Sequence, residues 1–150
     1  MARGFFQIGI VQGKTEENLG TLWRSAYQLG ATGIFTIGRR YKKQCSDTYK
    51  TYRHIPLINY PDFETFLLAR PENCSLVGIE MGGVSLSSFN HPSSAIYLLG
   101  SEDGGLPDYA IAKCQSIISI EVKRVESFNV AVAGSLVMYS RLLQKSLVHC

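Results

Sequence analysis

Three short clusters combine residue types that can do chemistry with positions in or beside loops. The first is Asn18 and Arg24, which flank Gly20 and Thr21. A separation of six residues is about 1.7 helical turns, so the two side chains leave a helix on different faces. Only a ligand or a partner chain would then meet both. A guanidinium among Leu, Trp, Tyr and Ala is costly to bury unpaired; a salt bridge to a neighbour such as Glu17 is the plainer explanation. The second cluster is GSEDGGLP, Gly100 to Pro107. Its glycines at 100, 104 and 105 permit positive φ and close backbone approach to a ligand, or simply turn the chain tightly. The loop is not GxGxxG and lacks the Lys-Ser/Thr of a P-loop, so a dinucleotide or a nucleoside triphosphate is not indicated. Glu102 and Asp103 would repel phosphate, and a neutral or cationic cofactor suits the loop better. The third is Ser127-Phe128-Asn129, just before NVAVAGSLVMYSRLL. Ser127 or Asn129 suits a helix N-cap, while Ala131, Ala133, Gly134 and Ser135 let a cofactor, another helix or a second subunit pack closely on the first turns.

The elements that would position these clusters alternate in type. Phe5–Val11, Gly33–Gly38, Ser75–Glu80, Ala95–Ser101 and Ser116–Val122 are short apolar runs bounded by turn signals and read as buried strands. Between them, Asn18–Gly30 carries Leu19, Leu22, Trp23, Ala26, Tyr27 and Leu29 at helical spacing, with Gly30 where a C-terminal cap belongs. Shorter helices are expected over Asp62–Ala69 and from Pro107, in the first turn, to about Cys114, and a longer one over Asn129–Lys145. Strands alternating with helices imply an α/β fold with a mostly parallel sheet covered by helices on both faces. Ligands in such sheets bind beyond the carboxyl ends of the strands, where all three clusters fall.

A chain of 150 residues with 45% hydrophobic and 18% charged residues fits one globular domain, 1–150, and is too apolar to be disordered. The net charge of +3 is concentrated locally. The segment RRYKKQCSDTYKTYRH sets Arg39, Arg40, Lys42, Lys43, Lys50 and Arg53 against Asp47 alone. It is interleaved with Tyr41, Tyr49 and Tyr52, a pattern that suits a groove holding phosphates and stacking on unpaired bases, or else a solvated loop. No apolar run reaches the ~18 residues of a membrane span, and no cleavage site follows the first apolar stretch, so a cytoplasmic protein is expected. Cys45, Cys74, Cys114 and Cys150 form no CxxC pair and have no cluster of His54, His91 and His149 beside them. They read as reduced thiols, with no metal expected.

In order and spacing the three clusters resemble the motifs of the SpoU, or TrmH, family of RNA ribose 2′-O-methyltransferases in the SPOUT superfamily. NLGTLWRSAYQLGATGIFTIG looks like the first motif, IYLLGSEDGGLP like the second and SIEVKRVESFNVAVAGSLVMY like the third, so that the likeness spans essentially the whole chain. The resemblance implies a C-terminal trefoil knot around Gly100–Leu106 and Ser116–Asn129, a homodimer, and methyl transfer from S-adenosylmethionine, without a metal, to a ribose hydroxyl of RNA. The expected target is tRNA, at the wobble position or the D-loop, with rRNA as the alternative. It implies catalytic roles for Arg24, Asn18, Glu102, Ser127 and Asn129. Cofactor contacts would come from Glu80, Leu99, Gly100, Gly104, Ile120, Ser127, Phe128 and Ala133. With no separate RNA-binding extension expected, RNA would be held by the basic segment Arg39–Arg53. Two departures stand out: Ile120-Glu121-Val122 replaces a frequent Ile-Pro-Met and leaves one residue fewer before Ser127, and Ala131 replaces a frequent serine. A module of the same fold that only binds RNA or dimerises would have no need to keep all five polar residues. A base-nitrogen methyltransferase would be expected to lack the Asn18/Arg24 pair.

Overall fold

The computed structural model describes residues 4–38, 55–124 and 126–147. The basic segment 39–54, with Cys45 and His54, and the terminal His149 and Cys150 lie outside the described residues. Six strands, β1 (Phe6–Val11), β2 (Gly33–Ile37), β3 (Leu57–Tyr60), β4 (Ser75–Ser85), β5 (Ala95–Leu99) and β6 (Ser116–Ser119), form one sheet in the order β3-β2-β1-β5-β4-β6. Every pairing is parallel. Parallel strands need crossovers, and helices α1 (Glu16–Gln28), α2 (Phe63–Ala69), α3 (Asp108–Ile111) and α4 (Val130–Leu147) are distributed accordingly.

The strands are apolar nearly throughout because both faces are covered. On one face α1 and α4 bury Leu19, Leu22, Trp23, Val130, Val137 and Met138 against Ile8, Tyr97 and Leu99. On the other, α2 and α3 bring Phe63, Phe66 and Ala110 against Val11, Phe35 and Leu98. Phe66 stacks on Phe35 with ring centroids 4.9 Å apart and is 1% exposed. Truncating a phenylalanine of that kind to alanine costs about 3–5 kcal/mol.

Several boundaries differ from the sequence expectation. The edge strand β3 has no strong pattern, since its four residues are partly exposed and Pro56 and Pro61 flank it. β4 continues past Glu80 to Ser85 by way of an irregularity between Ile79 and Val84 in its pairing with β6, with Gly82 at φ 88°. That detour hides the strand's length from a period-two reading. Helix α1 starts at Glu16, two residues before the expected Asn18, and Gly30 with φ 95° ends it as expected. Pro107 is the N-cap of α3 and not part of its first turn, and α3 is only four residues long.

The small residues of α4 find their reason within the chain. A Cβ on Gly134 would come 2.5 Å from Leu22 Cδ1 and 3.0 Å from Leu99 Cδ1, so glycine lets α4 lie directly on α1 and β5. Ser135 Oγ donates to Ser25 Oγ at 2.9 Å across the same contact. Of the occupants the sequence allows for this stretch, another helix is the one found against Gly134.

Candidate active site

The strand order turns between β1 and β5, and the loops that follow these two strands diverge there, the position where parallel α/β sheets open a ligand crevice. The first loop and α1 supply Asn18, half-buried at the start of the helix. The second supplies Glu102. The third contributor is the segment between β6 and α4, which ends at Asn129.

Hydrogen bonds join all three. Asn18 Nδ2 donates to Glu102 Oε1 at 2.7 Å, and Asn129 Nδ2 donates to Asn18 Oδ1 at 2.9 Å. Asn129 Oδ1 in turn accepts from the backbone N–H of Ala131 at 2.9 Å and of Val132 at 3.2 Å. Asn129 is therefore the cap of α4 and a member of the polar relay at once, because an amide has both a donor and an acceptor to offer. A Ser at this position could satisfy the cap through its oxygen, but its side chain is too short to reach Asn18 Oδ1 from there at the same time.

Glu102 is held from several sides. Burial would raise its pKa, but hydrogen bonds from Asn18, from its own backbone N–H, from Thr15 and from the Lys14 backbone N–H outweigh burial and hold it below the usual carboxylate range. Among the described residues its second oxygen, Oε2, is buried and has no hydrogen-bond partner. Among the described residues one oxygen accepts from two side chains and the other from none.

The loop carrying Glu102 is a tight turn. Ser101 and Gly105 form an isolated bridge, Ser101 Oγ accepts from Gly104 N at 3.2 Å, and Gly105 has φ 66°. A Cβ on Gly100 would sit 2.1 Å from Gly105 C. Gly100 is thus required by the fold of the turn itself. Glu80, at the bend in β4, fastens the turn by accepting from Leu106 N at 2.8 Å.

Beside the relay is a cavity of about 330 Å³, within the range of small-molecule sites. Glu80 borders it from β4, and Leu99, Gly100 and Gly104 from β5 and its loop. Ile120, Ser127 and Phe128 line it from the segment after β6, and Ala133 from the first turns of α4. Sequence reasoning missed Met81 and Gly82, which enter the wall through the irregularity in β4, and Val122 and Glu126. Only the length of β4 past Glu80 could have signalled the first two. The wall is acidic: Glu80, Glu102, Asp103 and Glu126 line it, and among the described residues no Lys or Arg does. Such a cavity attracts a cation and repels phosphate. Its apolar parts, including Leu99, Ile120 and Val130, suit a flat heterocycle.

The other predicted residues are placed less centrally. Ser127 and Phe128 are exposed at the cavity edge, Phe128 to 40%. Arg24 is exposed on α1 and takes no part in the Glu102–Asn18–Asn129 bonds. Arg39, Arg40, Lys42, Lys43, Lys50 and Arg53 all lie outside the described residues. Cys74 and Cys114 are free thiols, and burial pushes Cys114 up to about 11, which keeps it protonated and unreactive at neutral pH. Among the described residues no helix is long and apolar enough to cross a membrane.

Solved structures share this architecture. The SpoU methyltransferase AviRb from Streptomyces viridochromogenes, crystallised with AdoMet, is 22% identical with a TM-score of 0.86; the alignment covers 97% of this chain and 60% of that one. A structure concerned with 2-OH methylation of C/U34 on tRNA is 22% identical with a TM-score of 0.87, covering 97% of this chain and 99% of the other. The A. aeolicus TrmH/SpoU tRNA modifying enzyme is 16% identical with a TM-score of 0.84, covering 96% and 77%. No curated protein sequence aligns significantly with the chain. The profile of the SpoU rRNA Methylase family matches residues 6–139, and with all three motif loops inside that span the chain belongs to this family.

Proposed function

We propose that this chain transfers a methyl group from S-adenosylmethionine to a ribose 2′-hydroxyl of RNA, with tRNA as the substrate, acting as a single-domain, cytoplasmic homodimer with a C-terminal trefoil knot. The observation that carries the reading is the acidic, partly apolar cavity set against the Glu102–Asn18–Asn129 relay. The cavity suits a cationic cofactor with an adenine ring, and Glu102 in its wall has one oxygen, Oε2, with no hydrogen-bond partner among the described residues. Bound there, S-adenosylmethionine supplies an already activated methyl group on a sulfonium centre.

The chain's own residues supply alignment and a destination for one proton. Backbone groups at Leu99, Gly100, Ile120 and Phe128 hold the cofactor, with Glu80, Gly104 and Ala133 closing the wall. Glu102 would receive the proton that the ribose hydroxyl loses as its oxygen takes the methyl carbon and the carbon–sulfur bond breaks, and Asn18 and Asn129 restrain the carboxylate through their hydrogen bonds. Ser127 stands beside the same opening as a second hydroxyl contact. Arg24 orients the hydroxyl or clamps the adjoining phosphate as a fixed cation, because a guanidinium is a poor proton acceptor. RNA phosphates are repelled by the cavity itself and are held instead by Arg39, Arg40, Lys42, Lys43, Lys50 and Arg53.

Two further observations support the particulars. Tyr27 on α1 and Val132, Leu136, Tyr139 and Leu143 on α4 are exposed apolar side chains, the four on α4 following a four-three-four spacing that aligns them along one stripe. For tRNA over rRNA, the support is the likeness, at a TM-score of 0.87, to the structure concerned with 2-OH methylation of C/U34 on tRNA.

The test is incubation with labelled S-adenosylmethionine and, in parallel, total tRNA and rRNA, followed by digestion to nucleosides. A 2′-O-methylated nucleoside from tRNA is the expected product. Label in rRNA alone would move the substrate; label on a base, or none, would overturn the reaction. Arg24→Ala should abolish transfer while calorimetric cofactor affinity stays unchanged.

A further inference from the structure

The loop after β1 is fastened to the loop after β5 by more than Asn18. Gln12 Nε2 donates to Tyr109 Oη at 3.1 Å, Lys14 Nζ pairs with Asp103, and Thr15 Oγ1 donates to Glu102 Oε1 at 3.3 Å. Together with the Asn18 bond these contacts form a row between segments more than 80 residues apart in sequence. Two features of the row are unlike ordinary loop packing. Gln12 is the one non-glycine residue with positive φ among the described residues, at 56°. This turns the chain immediately after β1 and lays residues 12–18 across the second loop. Thr15 occupies the N-cap of α1, where a hydroxyl commonly accepts a hydrogen bond from the helix backbone, yet its side chain makes no such bond. Its hydroxyl is turned to Glu102 instead.

We propose that Thr15, backed by the Lys14–Asp103 pair, is a positioning residue of the reaction: it holds Glu102 Oε1 so that Oε2 alone faces the substrate. This deepens the role given to Glu102 above and rests on it. Without Thr15, Asn18 is the one side-chain donor left beside the backbone N–H groups of Glu102 and Lys14, and the carboxylate is held less firmly. Lys14 and Asp103 are exposed, so their pair contributes by closing the loop and not by strong attraction. Of the charged groups nearby, Asp103 from its own loop, Glu80 from β4 and Glu126 from the segment before α4 line the same cavity as Glu102, and Lys14 from the first loop pairs with Asp103.

The decisive variants are Thr15→Val, Thr15→Ser and Thr15→Asp, read by NMR titration of the Glu102 carboxyl in the protein alone and by the pH profile of methyl transfer. Thr15→Val should raise the Glu102 titration midpoint, carry the acid limb of the rate profile with it, and lower kcat about 3–10-fold, with the KM for S-adenosylmethionine unchanged. Thr15→Ser should restore all three. Thr15→Asp separates positioning from capping: aspartate is a good N-cap, so a capping role predicts normal rate and a normal or raised melting temperature, whereas positioning predicts loss of rate from a second carboxylate facing Glu102. A Glu102 titration and rate unchanged in Thr15→Val, or full activity in Thr15→Asp, would overturn the proposal. Absence of transfer by the unaltered protein would strike the functional reading alone, because the titration is measured without substrate.

Discussion

Two polar networks sit at opposite ends of α4, one at the carboxyl end of the sheet and one at the amino end. At the far end Arg141, 5% exposed, donates to Pro92 O at 2.6 Å, Ser93 O at 2.7 Å and Tyr97 Oη at 3.2 Å, and its guanidinium lies 4.9 Å from the Phe6 ring. His91, 4% exposed, is bonded through Nδ1 to Tyr97 Oη at 2.7 Å and through Nε2 to Ser140 Oγ at 3.1 Å. Gln144 and Lys145 bond the backbone of Phe89 and His91. Apart from the His91–Tyr97 bond, these bonds tie the later turns of α4 to β5 and the segment entering it, and among the described residues the network leaves no buried side-chain polar atom unpaired. The network at the near end is partly exposed, and among the described residues Glu102 keeps an oxygen without a partner. A satisfied buried network fixes a structure; a network with a buried vacancy is poised for a ligand.

Mutation should split the two. The largest effect is expected from Glu102→Gln, which keeps shape but removes the proton acceptor: methyl transfer should fall about 10²–10⁴-fold, the usual range for a positioned acid or base. Its urea midpoint should stay close to that of the unaltered protein. Arg141→Met should do the reverse, losing about 2–4 kcal/mol in urea denaturation because buried acceptors lose their donor, with transfer per folded molecule preserved. If Glu102→Gln unfolded the protein, or Arg141→Met abolished transfer in folded molecules, the contrast would fail.

The two ends also titrate differently. Burial, reinforced by the positive charges of Arg141 and Lys145, lowers His91 from the ordinary 6.5 to about 4. The unfolded chain therefore binds a proton that the folded chain refuses, and stability present above pH 6.5 is lost as pH falls toward about 4. The slope is at most about 1.4 kcal/mol per pH unit for one proton. His91→Gln should flatten that part of the stability curve. Glu102 has a lowered pKa, so its contribution is present above the unfolded carboxylate pKa and disappears only at lower pH, as pH falls through the folded value. The smallest effect is expected at the shared cap: Asn129→Ser keeps an acceptor for α4, costing under about 1 kcal/mol of stability, but releases Asn18 and should slow transfer measurably. Equal transfer by Asn129→Ser and the unaltered protein would remove the relay from the mechanism.

Much of this arrangement is legible in the chain itself. Alternating apolar runs and helical spacing around Leu19, Leu22, Trp23 and Ala26 specify α/β, because each pattern buries only one way. The composition of the loops marks Asn18, Glu102 and Asn129, and the acidic second loop already argues against phosphate. β3 was not legible: four half-exposed residues between prolines carry no period, and the strand exists because β2 offers an edge to pair with. Nor was the length of β4, which depends on a local irregularity against β6. Thr15 lies ahead of the helix expected over Asn18–Gly30, and nothing local marks it, His91 or Arg141 as bonded across the fold. What the sequence determined by itself is which segments must be buried and which loops carry polar chemistry, since these follow from side-chain type and local period. Which atom bonds which was decided only by the tertiary structure: that Thr15 turns from its helix to Glu102, that Asn129 serves α4 and Asn18 together, and that Arg141 is enclosed among carbonyls. Those choices join residues tens of positions apart, and the energy of a hydrogen bond depends on distance and burial that no local pattern records.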